Sequence, residues 1–410
     1  MRKFNIPVFY KSSIITKLKE QRNLLDPRKQ DLSPNELDFG PVRFLIARHF
    51  GFCYGVQNAI EISYQTLEEN PDKRVFLLSE IIHNPVVNED LLFRGINFIM
   101  KPSGEQIIPW EEITKDDIVL IPAFGTTIEI EEKLKSIGLQ IEKYDTTCPF
   151  VEKVWNRSAA LGEKGYTIII HGKYKHEETR ATFSHSVKKS HSVIVLNLEE
   201  AELLGKIILG EIPSEKFYEY FKDKHSEGFD PNIHLEKIGV VNQTTMLASE
   251  TQEIANYFKS VMIKKYGEEN LKYHFADTSD TLCYATYDNQ KATLEMLKYP
   301  ADFAVIVGGY NSSNTTHIVE ICQGKVKTFF VSSEEKILSR DKILHYDINL
   351  KKEILTKNYI PDREKVTILL SSGASCPDSV IEGVLRKLHS FFPNALTIEE
   401  VVNKFFDHIY

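Results

Sequence analysis

The stretch VRFLIARHFGFCYGVQNAIEIS, residues 42–63, passes from an apolar run through a glycine-bearing turn to Cys53 and then into a helical pattern. The same order recurs in LQIEKYDTTCPFVEKVWNRSAAL, residues 139–161, around Cys148. It recurs again in YHFADTSDTLCYATYDNQKATLEML, residues 273–297, around Cys283. Three thiols at strand-to-helix junctions, far apart in the chain, predict three similar modules converging on one centre. Three thiolates at one point are too many for a disulfide. They suit an iron–sulfur cluster that leaves one iron without a protein ligand. An open coordination position is what a catalytic metal needs and a structural one avoids.

The repeat extends beyond the cysteines. A second apolar run follows each cysteine helix and ends in polar residues: VFLLSEIIHNP with His83, YTIIIHGKYKHEET with His176, and FAVIVGGYNSSNTTH with Asn311, Ser312 and Asn314. A third run follows in each module: DIVLIPAFGTTIEIEEKL, IGVVNQTTMLASETQEI and VTILLSSGASCPDSVIEGVL. Thr126, Thr244 and Ser375 stand where strand should give way to helix. The pattern predicts nine strand–loop–helix units in three groups. Loops at the carboxyl ends of parallel strands are where open α/β sheets bind ligands. The free N–H groups and dipole of a helix N-terminus favour anions there.

Composition bounds the reading. The 410-residue chain is 42% hydrophobic and 26% charged, ordinary values for a globular protein of two or three domains. Its formal net charge of −8 argues against a broad nucleic-acid or membrane footprint. Any anionic ligand must then be held by local groups. No apolar run approaches the roughly 20 residues of a membrane span. No secretory signal is evident. Five cysteines, an odd number, do not make a disulfide scaffold and fit a reducing compartment. Cys322 reads as a buried helix residue and Cys376 as a small loop residue. The acid-free start, with Arg2, Lys3, Lys11, Lys17 and Lys19, gives a faint transit-peptide signal. The expected location is the cytoplasm, with an organelle stroma as the alternative.

Four segments are expected. Residues 1–40 form a polar N-terminal extension, a helix and strap on the surface. Module one spans 41–143 and module two 144–273, the latter with a helical insert at 197–235. Module three and a short amphipathic tail occupy 274–410. Thr397 and Glu400 mark a capping box at the start of that tail.

Eight strings in this order, GFCYGVQNAI, SEIIHNPVV, DTTCPFVEKV, HGKYKHEET, NQTTML, DTLCYATYDNQ, GGYNSSNTTH and SSGASCPD, resemble the 4-hydroxy-3-methylbut-2-enyl diphosphate reductase family, IspH/LytB. The resemblance runs from residue 45 to 380. PAFGTT, KYKHEET and the insert are similar to the branch shared by cyanobacteria and plant plastids. The resemblance implies an α/β fold of three modules with mostly parallel sheets, in a pseudo-threefold trefoil around a central 4Fe-4S cluster. By motif match the ligands are Cys53, Cys148 and Cys283, and the open apical iron takes the substrate hydroxyl.

The same match implies the other roles. His83, His176, Thr245, Ser312, Ser313, Asn314 and Ser375 would bind the diphosphate. Glu178 would donate or relay a proton, and Thr244 would position that path. Read without the family, His83 is equally a capping or core histidine, and NSSN is only a turn or helix-cap signal. One departure stands out. Phe124 occupies a position where many bacterial relatives carry histidine, and a phenyl ring cannot hydrogen-bond phosphate. Lys173, Thr126 and Thr127 are candidates to replace that contact. His49 reads as structural, His171 and His317 flank active loops, and His185 and His191 read as ordinary residues.

The resulting expectation is an iron–sulfur oxidoreductase. It would remove the allylic hydroxyl of 4-hydroxy-3-methylbut-2-enyl diphosphate to give isopentenyl and dimethylallyl diphosphates. No G-x-G-x-x-G follows a strand, so electrons should arrive from a ferredoxin- or flavodoxin-like protein. Two rivals are weighed against it. One is a non-catalytic iron–sulfur sensor or electron carrier, which needs the cysteines but not His83, His176, Glu178 or Thr244. The other is a metal-free transferase that uses the loops only for phosphate.

Overall fold

Parallel strands buried on both faces organise the chain, as their uninterrupted apolar runs require. The structure is a computed structural model that describes residues 4–278 and 281–407. Arg2 and Lys3 of the basic start, Asp280 of the third cysteine string and residues 408–410 of the tail lie outside it. The chain divides into two compact units. One is built from Met1–Gln57, His83–Asn88 and Tyr284–Tyr410, the other from Asn58–Ile82 and Glu89–Cys283.

The first unit holds a five-stranded sheet in the order Asn35–Asp38, Val42–Ile46, Val366–Ser372, Phe303–Val307, Thr328–Val331. Only the first pair is antiparallel. Every residue of Phe303–Val307 and Val366–Ser372 is buried. Helices Ser313–Gln323 and Asp378–His389 follow those two strands. A separate antiparallel sheet, Ile337–Ser339, Lys342–Asp347 and Lys352–Lys357, was not foreseen from the sequence.

The N-terminal extension differs from the surface strap expected of it. Helix Ser13–Leu25 is capped by Ser12, whose hydroxyl accepts the Ile15 N–H at 2.8 Å. Its Ile14, Ile15 and Leu18 are buried in the same core as the sheet. Asn35–Asp38 then adds an edge strand, with Leu37 fully buried. The alternating charges of this segment mask an apolar stripe at helical spacing. At the other end, the capping box forms as read. Thr397 Oγ1 and N–H both donate to Glu400 at 2.8 Å, and Glu400 N–H returns to Thr397 Oγ1 at 3.3 Å.

The second unit holds two parallel sheets. One orders Asn97–Phe98, Val75–Leu77 and Ile118–Leu120, and the other Ser192–Val195, Thr167–His171, Ile238–Asn242 and Phe275–Ala276. The insert contributes helix Leu198–Ile208, capped by Asn197.

Eight of the nine predicted strand–loop–helix units begin with a strand; the unit before Cys148 does not. Ile141–Tyr144 is a 3-10 helix. Ile141 and Tyr144 are buried and Glu142 and Lys143 exposed, a three-residue spacing that no strand can satisfy. The chain there still joins a sheet, through one parallel bridge between Ile121 and Asp145.

Sheet membership follows a cyclic pattern. The strand leading to Cys53 pairs with Val366–Ser372, the last strand of module three. The segment leading to Cys148 bridges next to Ile118–Leu120, the last strand of module one. The strand leading to Cys283 pairs with Ile238–Asn242, the last strand of module two. Each cysteine segment thus pairs with the last strand of the stretch expected as the preceding module. No helix among the described residues is long and apolar enough to cross a membrane.

Candidate active site

All five cysteines are thiols outside any disulfide. They fall into two classes. Cys322 and Cys376 are fully buried, and burial pushes the Cys322 thiol up to about 12 and that of Cys376 higher still. Cys53, Cys148 and Cys283 are half-buried, and each sits at the start of a helix: Tyr54–Glu69, Pro149–Gly162 and Tyr284–Met296. A helix N-terminus stabilises thiolate, the form that binds metal. Each of these three thiols, taken singly, therefore stands in a setting that suits a metal ligand, which Cys322 and Cys376 do not share.

The backbone repeats this equivalence. In the first unit, Cys53 N–H donates to Ala374 O at 3.1 Å. In the second, Cys148 N–H donates to Ala123 O at 3.0 Å. Near Cys283 the tie is made by a side chain: Thr281 Oγ1 donates to Asn242 Oδ1 at 2.9 Å. Each cysteine segment is thus pinned at, or just beyond, the carboxyl end of the strand beside which it pairs.

The first unit gathers His83, Ser312, Ser313, Asn314 and Ser375, all buried. Ser375 Oγ donates to His83 O at 3.2 Å and lies 3.4 Å from Ser312 Oγ. Ser312 caps helix Ser313–Gln323, accepting the Thr315 N–H at 3.3 Å. Asn314 Oδ1 accepts the Ala374 N–H at 2.8 Å. Its Nδ2 and the Ser313 Oγ are buried with no hydrogen-bond partner. Two such donors at a helix N-terminus are costly unless something accepts from them. Asn311 Nδ2 lies 3.4 Å from His83 Nδ1, which makes Nδ1 the acceptor and leaves the ring proton on Nε2.

The second unit gathers His176, Glu178, Thr244 and Thr245. Helix Glu177–Val187 begins after His176, whose Nδ1 accepts the Glu178 N–H at 3.2 Å. This ring too carries its proton on Nε2. Glu178 is only 1% exposed, and its Oε1 accepts the backbone N–H of Thr244. Phe124 stands edge-on to His176, with ring centroids 5.7 Å apart.

Gln243 escaped the sequence reading. It is fully buried, and its Oε1 accepts from Lys173 N–H and Thr179 Oγ1, both at 3.0 Å. Its Nε2 donates to Thr245 Oγ1 at 2.6 Å. It thereby ties the KYKHEET loop to the NQTTML loop. The available signal was a polar Asn–Gln pair closing an all-apolar strand.

Of the residues expected to supply a phosphate contact in place of Phe124, Thr126 is buried and Lys173 half-buried. The Thr126 carbonyl lies 3.1 Å from His185 Nε2, and the His185 ring stacks on Trp155 at 3.7 Å. His185 is therefore a support of the PAFGTT loop. A Cβ on Gly125, at φ +73°, would lie 2.3 Å from the Trp155 ring, so only glycine fits. His171 is buried with Nδ1 2.8 Å from Thr251 Oγ1, and His317 Nδ1 lies 2.6 Å from Glu320, both structural ties.

Comparison with known proteins places the chain in a family. The family model for LytB protein matches residues 44–389. The 4-hydroxy-3-methylbut-2-enyl diphosphate reductase of Crocosphaera subtropica is 40% identical over 381 residues, covering 92% of this chain and 89% of its own. That of Prochlorococcus marinus subsp. pastoris is 41% identical over 352 residues, with 85% and 86% covered. Among solved structures, the E-1-hydroxy-2-methyl-but-2-enyl-4-diphosphate reductase from Plasmodium falciparum matches with a TM-score of 0.61 at 21% identity, over 92% of this chain and all of that one. At that identity the structural match speaks for the fold alone. The chain belongs to the LytB protein family.

Proposed function

We propose that this chain is a 4-hydroxy-3-methylbut-2-enyl diphosphate reductase. It converts its substrate, with two electrons and two protons, to isopentenyl or dimethylallyl diphosphate and water, the last step of the methylerythritol phosphate route. The observation that carries the reading is the shared setting of Cys53, Cys148 and Cys283, which Cys322 and Cys376 lack. Those three thiolates would hold a 4Fe-4S cluster, which when bound supplies electrons and an open iron that polarises the leaving hydroxyl.

The protein's own groups do the rest. Ser312, Ser313, Asn314 and Ser375 offer hydroxyl and amide donors to the diphosphate at the N-terminus of helix Ser313–Gln323. His83 and His176 add Nε2–H donors, their Nδ1 atoms being already engaged. Thr245, held by Gln243, lies on the NQTTML loop as a further hydroxyl. Glu178 is the proton donor. Its Oε1 is held by Thr244 N–H, so the transferable proton sits on Oε2. The carboxyl is buried against the Thr244 loop, where a general acid is shielded from bulk water. Reducing equivalents come from a ferredoxin- or flavodoxin-like donor.

A sensor or simple electron carrier has no use for a buried carboxyl held this way. The test is anaerobic turnover of 4-hydroxy-3-methylbut-2-enyl diphosphate by the iron-loaded protein with a low-potential reductant. Five-carbon diphosphates lacking the hydroxyl are the expected products. Reduction of the protein without product favours the carrier, and iron-independent turnover favours the transferase.

A further inference from the structure

The turn that carries Cys53 is gripped from outside by the N-terminal segment, and one ion pair closes the grip. Phe4 packs edge-on against Tyr54, ring centroids 5.0 Å apart, and Tyr10 packs edge-on against Phe52 at 5.9 Å. These two rings flank Cys53 on either side in the sequence. Lys19, from helix Ser13–Leu25, sets its Nζ 4.5 Å from the centre of the Phe50 ring and 2.6 Å from Asp378 Oδ1. Asp378 opens helix Asp378–His389, three residues beyond Ser375.

Gly51 lies directly beneath this pair. A Cβ there would come within 2.5 Å of Asp378 Oδ1 and 2.7 Å of Lys19 Nζ. Its φ of +76° suits glycine as well. Gly51 N–H donates to Ser372 Oγ at 3.1 Å, and Cys53 N–H to Ala374 O at 3.1 Å. The Cys53 turn is therefore clamped between the Ser372–Asp378 segment on one side and the N-terminal segment on the other. Ser12 anchors the same helix by donating to Glu382. Lys19 and Asp378 have side chains 26% and 18% exposed, so water screens their attraction less than that of a surface pair.

We propose that Lys19 is a positioning residue for the Cys53 thiolate. Through Asp378 it holds the turn shut against the Ser375 loop and fixes where that ligand points. The inference rests on Cys53 being a cluster ligand, which iron counting on Cys53→Ser tests separately. The pair belongs to a segment outside the matched 44–389 region that is nonetheless packed into the core through Ile14, Ile15 and Leu18.

The experiment reads the turn without the cluster. The full chain is prepared free of iron, and the alkylation rate of each cysteine is followed with iodoacetamide by peptide mass mapping. In Lys19→Met and in Asp378→Asn, Cys53 should react about fivefold faster, the scale of one partly screened ion pair. Cys148 and Cys283 should react at parental rates. Lys19→Arg should restore the parental Cys53 rate, because it keeps the cation. An unchanged Cys53 rate in both variants overturns the proposal. So does an equal rise at all three cysteines, which would mean general loosening, and so does failure of Lys19→Arg to rescue. If Lys19→Met does not fold, Asp378→Asn carries the same comparison.

Discussion

Phe124 meets His176 edge to face, with ring centroids 5.7 Å apart and planes at 87°. A phenyl ring cannot donate to phosphate as an imidazole would, and here it supports the imidazole of another loop. Such a contact adds about 0.5–1.5 kcal/mol and holds the His176 ring in place. If the proposed diphosphate site has one donor fewer at this position, Lys173 is the group that would supply a charge. Lys173→Met should raise KM roughly tenfold with iron content unchanged, the scale of one charged hydrogen bond. Phe124→His should recover binding in that background. An unchanged KM in Lys173→Met transfers the role to Thr126 or Thr127.

Glu178 is held by the Thr244 N–H and is almost fully buried. Glu178→Gln keeps a hydrogen-bonding shape but has no acidic proton. It should retain iron and KM while kcat falls about 10²- to 10⁴-fold. A rise in KM matching the fall in rate would make Glu178 an anchor for substrate.

Asn314 commits only half of its amide to structure: Oδ1 takes the Ala374 N–H, and Nδ2 is left buried without a partner. Asn314→Ala should raise KM for the diphosphate roughly tenfold and leave the iron content intact. Asn314→Asp should be worse, since it sets a carboxylate against phosphate. Inhibition by inorganic pyrophosphate probes the same site with an anion that cannot react. Parental inhibition in both variants would remove Asn314 from the anion site.

His49 precedes the Cys53 turn. Burial, with the Arg48 cation beside it, pulls its imidazole from 6.5 to about 4. The folded state keeps the ring neutral where the unfolded chain takes up a proton. Its contribution to stability is therefore fully present above about pH 6.5 and is lost as pH falls toward about 4. His49→Gln should flatten the acid side of the melting-temperature profile across that window. An unaltered slope would show that other groups govern acid unfolding.

Local pattern made much of this legible. The cysteine helices, the Thr397–Glu400 box and the buried Cys322 follow from spacing and caps. Other features did not. The buried stripe Ile14, Ile15 and Leu18 lies among charges that advertise a surface. The turn Ile141–Tyr144 shares its apolar content with a strand and differs only in period. The cyclic exchange of strands is a matter of pairing partners, which no local window contains. Gln243 was missed for a related reason. Its side chain joins Lys173 and Thr179 to Thr245, and that network exists only once distant loops meet.

The central claim is that Cys53, Cys148 and Cys283 together hold the cluster while Cys322 and Cys376 do not. Iron and acid-labile sulfide per chain, measured anaerobically on the five single Cys→Ser variants, test it most directly. The account predicts loss of bound iron in Cys53→Ser, Cys148→Ser and Cys283→Ser, and parental iron in Cys322→Ser and Cys376→Ser. Full iron retention in any of the first three would contradict it.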